Sequence, residues 1–373
     1  MNPFAPLAAP GICDLHPYVP GKPLDELERE LGLSHTLKLA SNENPLGPSP
    51  AGLAAARRAV EAIHLYPDDA AWRLKGRLAE KLGLKRDQIL PGAGSSDVID
   101  MVARTFLAPG RNAVFSRYAF AMYPIYTTAA GAECRVAEAL APDHPEMPLG
   151  HDLDAMAALV DDNTRVVFIA NPNNPTGTWL EAGPLHDFIA ALPAHVVVVL
   201  DEAYTEYVTD PAFPDGRAWL DQFPNLIVTR TFSKIYGLAG LRVGYGMAGT
   251  ELLELVGRVR HPFNVSVPAL AAAEAALDDQ AFIERSRRLN QAGLAQLQAG
   301  LKELGRPVLP SAGNFVTFEL DGEAAPVYDA LLRHGVIVRP LANYGLPRHL
   351  RVTVGTEEEN QRFLTALAEV LAS

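Results

Sequence analysis

The chain has 373 residues, 48% of them hydrophobic, with a formal charge of −12. That apolar content excludes the disordered and collagen-like classes and supplies a core for one large α/β domain with a smaller partner. The negative charge removes a global basic surface for nucleic acid, so an anionic ligand needs a local cluster of Arg or Lys inside a cleft.

Cys13 and Cys134 make neither a disulfide framework nor a metal site, and the ten histidines contain no HExxH pair. No metal is therefore expected. A reducing cytoplasm is the expected location. The N-terminus lacks a basic start followed by a long apolar run, so no signal peptide is read there. The apolar run at 196–200 is too short to span a bilayer, and no membrane contact is expected.

Prolines at 3, 6, 10, 17, 20 and 23 favour an extended N-terminal arm, expected to pack on the smaller domain. Next, 53–63 reads as a helix, as does 70–83, which stops at Gly83. A short strand at 88–90 precedes a helix at 96–107. A strand at 112–116 leads into a helix that ends at Gly131. The runs 165–170 and 195–201 are short, β-branched and almost wholly apolar, as strands buried on both faces of a parallel sheet are. A helix near 181–191 separates them, and strands near 226–230 and 242–247 follow. This alternation predicts an α/β fold with helices on both sides of a mainly parallel sheet.

From 266 the character changes. Helices are expected at 268–277, 280–304, 324–334 and 357–371, with short strands near 306–309, 314–319, 336–339 and 349–354. The expected division is 1–45 for the arm and part of the small domain, 46–265 for the large domain, and 266–373 for the small α+β domain.

In such sheets ligands sit at the carboxyl ends of the strands. Four segments fall at those ends: PGAGSSD (91–97), NPNNPTG (171–177), DEAY (201–204) and RTFSKIYGLAGLRVGYG (230–246). Each has an ordinary reading when taken alone. NPNNPTG is turn chemistry, Asp201 a helix cap, GAGSSD a strand-to-helix turn, and Lys234 a surface lysine. Together they supply what pyridoxal phosphate needs: a lysine, an acid for the pyridine nitrogen and a phosphate cup. Ser95, Ser96, Thr231, Ser233 and Arg242 can form the cup. Asp201 can hold the pyridinium proton, Asn174 and Tyr204 the ring oxygen, and Phe120 or Tyr123 can stack on the ring.

NPNNPTG, DEAY and SKIYGLAGLRVGY resemble the fold-type-I pyridoxal-phosphate aminotransferases of the aspartate aminotransferase superfamily. PYVPGKP (17–23), LASNENPLGPSP (39–50), LYPD (65–68), AFAMYP (119–124), GNFV (313–316) and LRVTVGTEEEN (350–360) look like histidinol-phosphate aminotransferases. The resemblance covers about 17 to 370. It implies a large domain built on a mainly parallel seven-stranded sheet, a smaller α+β domain, and a homodimer with shared active sites. It implies Lys234 as the Schiff-base lysine and proton shuttle, Asp201 on the pyridine nitrogen, and Asn174 and Tyr204 on the ring oxygen. Gly94, Ser95, Ser96, Ser233 and Arg242 would hold the cofactor phosphate, with Tyr66 reaching it from the second subunit. Arg351 would clamp the substrate α-carboxylate and Arg339 its phosphate, and Tyr18 and Asn44 would help close the cleft. Many relatives carry Tyr where this chain has Phe120, so a hydroxyl is lost while stacking survives. Glu43 and Tyr123 are candidates for imidazole recognition. An aromatic aminotransferase or a threonine-phosphate decarboxylase on the same scaffold is the alternative reading. A non-catalytic regulatory domain is the alternative of another class, and no DNA-binding segment accompanies the chain to favour it.

Overall fold

The computed structural model describes residues 2–18, 21–33 and 35–372. Val19 and Pro20 of the PYVPGKP motif lie outside them. In chain order the elements are α1 (Leu24–Leu31), β1 (Leu37–Lys38), α2 (Pro50–Ala59), α3 (Trp72–Leu82), β2 (Ile89–Gly92), α4 (Ser95–Phe106), β3 (Asn112–Ser116), α5 (Met122–Ala129), β4 (Glu133–Ala137), α6 (Leu153–Ala158), β5 (Thr164–Ala170) and α7 (Ala182–Ala191). They continue with β6 (Val197–Asp201), β7 (Leu226–Thr231), β8 (Gly244–Met247), α8 (Thr250–Gly257), α9 (Val267–Ala276), α10 (Gln280–Glu303), β9 (Phe315–Glu319), α11 (Ala324–Arg333), β10 (Val336–Ile337), β11 (Arg339–Leu341), β12 (Leu346–Thr353) and α12 (Glu357–Ala372).

Seven strands form the large sheet in the order β2-β8-β7-β6-β5-β3-β4. Only β8 runs against its neighbours, so the sheet is mainly parallel, as expected. Alternation along β5 explains why both faces are covered. Val166 and Phe168 join one core, shared with Ile99, Val102 and Leu253 of α4 and α8. Val167 and Ile169 join the other, shared with Leu185 of α7 and Ala272 of α9. A strand buried on both sides has no use for polar residues, which is why its sequence is one apolar run.

A third core gathers Leu37, Leu39, Leu301, Val316, Phe318, Leu350, Val352 and Phe363 around the three-stranded sheet β11-β12-β9. β1 pairs in parallel with β10, which ties the segment after α1 to this smaller unit. Four details differ from expectation. α9, expected in the small domain, buries Ala269, Ala272, Ala273 and Ala276 in the large core, because a face of alanines lets α2 approach closely. The chain leaves the large core within α10, whose Ile283 lies there while Leu297 and Leu301 lie in the smaller one. The arm does not rest wholly on the small unit: a Cβ placed on Gly11 would meet Thr128 of α5 at 2.7 Å. The expected strand at 306–309 is a single bridge between Val308 and Phe318. Among the described residues no helix is long and apolar enough to cross a membrane.

Candidate active site

A cavity of ≈ 410 Å³ opens at the carboxyl ends of β5, β6 and β7. Its lining includes Ser95, Ser96, Phe120, Asn174, Asp201, Tyr204, Thr231, Ser233, Lys234, Arg242, Arg351 and Tyr18. The sequence scatters these residues over more than 300 positions, and the crossover topology brings them to one edge.

Asp201 ends β6 with 5% of its surface exposed. It accepts hydrogen bonds from the Thr229 hydroxyl at 3.0 Å and the Tyr123 hydroxyl at 3.2 Å. Burial outweighs both donors and pushes its carboxyl up to about 6. Such a carboxylate favours a cationic partner. Lys234 follows β7, and its amine donates to the carbonyls of Ser41 and Asn42 at 3.3 Å each. Burial, then the Arg351 and Arg242 guanidinium groups, bring it down to about 7. A substantial fraction of this amine is therefore neutral near pH 7, as a nucleophile or base must be.

The anion cup is made of backbone and hydroxyls. Gly94 caps α4 with φ +91°, and a Cβ there would sit 2.4 Å from the Arg242 guanidinium. Only glycine leaves that guanidinium its place over the open first turn of the helix. Arg242 itself holds φ +52° and donates to the Ser233 hydroxyl at 3.2 Å. Thr231 in turn donates to Ser233 at 3.0 Å. Guanidinium, two hydroxyls and a helix N-terminus suit a phosphate dianion.

At the other end of the cavity, Arg351 on β12 is 4% exposed. It donates to Asn174 Oδ1 and, at 2.9 Å, to the Ala40 carbonyl. Among the described residues its buried Nε has no partner, so donor capacity remains for an anionic ligand. Arg339 on β11 stands opposite Arg351 in the antiparallel register, is 5% exposed, and lies 5.3 Å from the Tyr18 ring centroid. Arg351 lines the cavity, whereas Arg339, expected to meet the substrate phosphate, is not among the residues that do.

Several assignments change. Asn44, expected at the cleft, does not line it. Its amide donates to the Ile235 carbonyl and the Ser286 hydroxyl, both at 2.9 Å, pinning the lysine loop to α10. Asn42, two residues earlier and unread in the sequence, lines the cavity instead. Tyr123 does not stack over the cavity. It is fully buried beneath it, parallel to Phe168 at 4.8 Å, and so is no candidate for imidazole contact either. Phe120 lines the cavity, its ring T-shaped to that of Tyr123 at 5.7 Å. Tyr66 is far more open, 81% exposed and stacked on Phe263 at 4.5 Å, and does not line this cavity. Met122 and Tyr126 line the cavity without having been singled out in the sequence. Their only signal was position on the same helix as Tyr123.

A family model described as aminotransferase class I and II matches residues 34–367. The chain is 59% identical over 366 residues to histidinol-phosphate aminotransferase 2 of Methylococcus capsulatus, covering 98% of each chain. It is 55% identical over 374 residues to histidinol-phosphate aminotransferase 2 of Pseudomonas aeruginosa, covering 100% of both. A solved histidinol-phosphate aminotransferase from Sinorhizobium meliloti, in complex with pyridoxal-5'-phosphate, superposes with a TM-score of 0.88 at 30% identity, covering 100% of this chain and 98% of the other. The chain therefore belongs to the class I and II aminotransferases.

Proposed function

We propose that the protein is a pyridoxal-phosphate-dependent transaminase that moves an amino group between L-histidinol phosphate and 2-oxoglutarate, giving imidazole-acetol phosphate and L-glutamate in histidine biosynthesis. The observation that carries this reading is the pairing in register of Arg339 and Arg351, two buried arginines of which Arg351 lines the cavity that also holds the candidate cofactor cup. The names of relatives at 55–59% identity support the same substrate.

The residues present fit pyridoxal phosphate. Ser95, Ser96, Thr231, Ser233, Arg242 and the first turn of α4 would hold its phosphate. Asp201 would face its ring nitrogen, and Phe120 would cover its ring. Asn174 gives its side-chain oxygen to Arg351, which leaves its NH₂ for the ring oxygen alongside the Tyr204 hydroxyl. When bound, the cofactor is the electron sink that makes the substrate's Cα–H acidic. The Lys234 amine takes that proton from Cα and returns it at the acceptor carbon. Asp201, ionised above about pH 6, holds a proton at the ring nitrogen through the cycle. Arg351 and Arg339 orient the substrate by its phosphate or, for the glutamate half, by its carboxylates. The cycle is ping-pong: the donor's carbon skeleton leaves as a keto product while the amino group stays with the enzyme, and the second keto substrate then takes it.

The enzyme works as a cytoplasmic homodimer, with Tyr66 reaching the partner's phosphate cup. The exposed run Val60, Ile63, Leu65 and Tyr66 supports a covered face there. Residues 46 to within α10 form the cofactor-binding unit, and the arm's end joins the C-terminal unit through β1.

The test is a substrate panel on purified holoenzyme. Histidinol phosphate with 2-oxoglutarate should give the highest kcat/KM, ahead of phenylalanine, with no CO₂ released from threonine phosphate. Arg339→Ala should raise KM for histidinol phosphate far more than for phenylalanine. Preferred turnover of phenylalanine, or decarboxylation of threonine phosphate, would replace this reading with the corresponding one.

A further inference from the structure

Asn42 is the most heavily shared polar residue around the cavity. It is 1% exposed and holds φ +55°, in the left-handed region. Its backbone N–H donates to the Thr353 hydroxyl at 2.9 Å, and that hydroxyl donates to Asn42 Oδ1 at 3.2 Å. Its carbonyl accepts from Lys234 Nζ at 3.3 Å and from the Asn314 amide at 3.0 Å. Its own side-chain NH₂ donates to the Tyr204 hydroxyl oxygen at 2.9 Å. Thr353 and Asn314 belong to the small unit, while Tyr204 and Lys234 belong to the large one.

We infer that Asn42 is a positioning residue that aims the Tyr204 proton into the cavity. The reasoning is a count of donors. A Tyr hydroxyl has one proton and can accept as well. Thr353 occupies Asn42 Oδ1, so the amide presents its NH₂, and not its oxygen, to Tyr204. Tyr204 is then an acceptor toward Asn42 and keeps its single proton for another acceptor. The cavity lies on its open side. For a bound cofactor that acceptor is the ring oxygen, and a donor there favours its ionised form. Thr353 belongs to the small unit, so the aim of this proton is tied to where that unit sits. The inference rests on the cofactor reading above and is independent of which phosphorylated amine is the substrate.

The choice of variants separates aim from mere support. Asn42→Gly accepts the positive φ without strain and removes only the amide. Asn42→Asp keeps the shape but puts an acceptor where the donor was, which turns the Tyr204 proton away from the cavity. Each is loaded with pyridoxal phosphate and titrated with pH, reading the midpoint of the visible cofactor absorbance, with glutamate turnover measured in parallel. The midpoint should rise in Asn42→Gly and rise further in Asn42→Asp, towards that of Tyr204→Phe. Turnover should fall about tenfold in Asn42→Gly, the rate equivalent of one hydrogen bond. In the Asn42→Gly/Tyr204→Phe double variant the midpoint should stay where Tyr204→Phe alone places it, because there is no proton left to aim. Thr353→Val, which frees Asn42 Oδ1, should give an intermediate shift. The inference is overturned if Asn42→Asp behaves more like the parent than Asn42→Gly does, or if the two single shifts sum in the double variant. A failure of the cofactor reading would look different, since the parent protein itself would then lack the visible band.

Discussion

Lys234 and Asp201 show how one cavity moves two groups in opposite directions. Burial holds the amine down to about 7 and the carboxyl up to about 6. Each is unfavourable in the folded protein alone, and each is suited to a cofactor that binds covalently to one and cationically to the other. Lys234→Ala should therefore lose both the visible cofactor absorbance and turnover, and normal turnover in that variant would end the assignment. Asp201 gives a second, independent prediction. Its folded carboxyl binds a proton up to about pH 6, and the unfolded one only to 3.8. From 3.8 to 6 the folded state holds more protons, so this residue's contribution falls as pH rises and its cost is fully present above 6. Asp201→Asn should raise the apoprotein's stability at pH 7.5 by up to about 3 kcal/mol, with the gain fading below pH 4, while holoenzyme turnover falls by about two orders of magnitude or more. Thermal melts across pH and kcat together check it; an apoprotein that melts lower at pH 7.5 would show that the carboxylate is not paying a burial cost.

At the level of elements, the site depends on close approach. Gly237, at φ +67°, ends the lysine loop, where a Cβ would lie 2.1 Å from the Gly47 carbonyl oxygen. Gly237→Ala should destabilise the protein by about 1–3 kcal/mol or more, seen as a lowered melting temperature. Gly94→Ala should instead displace Arg242 and weaken pyridoxal-phosphate binding, measured by cofactor titration, with a smaller effect on melting. These elements also show what sequence alone can reveal. β5 and β6 were legible because a strand buried on both faces must be apolar throughout, and Asp201, Asn174 and Lys234 were legible because they interrupt such strands at their carboxyl ends. β4, Glu133–Ala137, is not legible in the same way: it is an edge strand with two of its five side chains charged, so no continuous apolar run marks it. α6 and α8 are six and eight residues long and offer few turns to read, whereas α1 does carry Leu24, Leu27 and Leu31 at helical spacing and is obscured only by the proline-rich stretch before it. Asn42 and Asn44 share one NEN motif, and nothing local distinguishes them. What separates them is contact with Tyr204 and Thr353, 162 and 311 positions away. Phe120 and Tyr123 are equivalent candidates for stacking in the sequence, and only the fold separates them: Phe120 lines the cavity and Tyr123 is buried against Phe168.

For the whole molecule, the chain solves the problem set by its net charge of −12. A globally acidic protein repels phosphorylated substrates at long range, and the remedy is local: Arg242 at one end of the cavity and Arg351 at the other, with Arg339 in register with Arg351 on the neighbouring strand. The exposed strip from Val60 to Tyr66 predicts that sedimentation will find a dimer, and that Tyr66→Phe will raise the dissociation constant for pyridoxal phosphate without changing the sedimentation coefficient. A monomer with unchanged cofactor affinity in Tyr66→Phe would remove the shared cup. The central claim is the lysine. Reducing the holoenzyme with borohydride fixes the cofactor to whichever amine carries it, and peptide mapping then locates that amine. The label is expected on the Lys234 peptide, one per chain. Label on another lysine, or none, would contradict it.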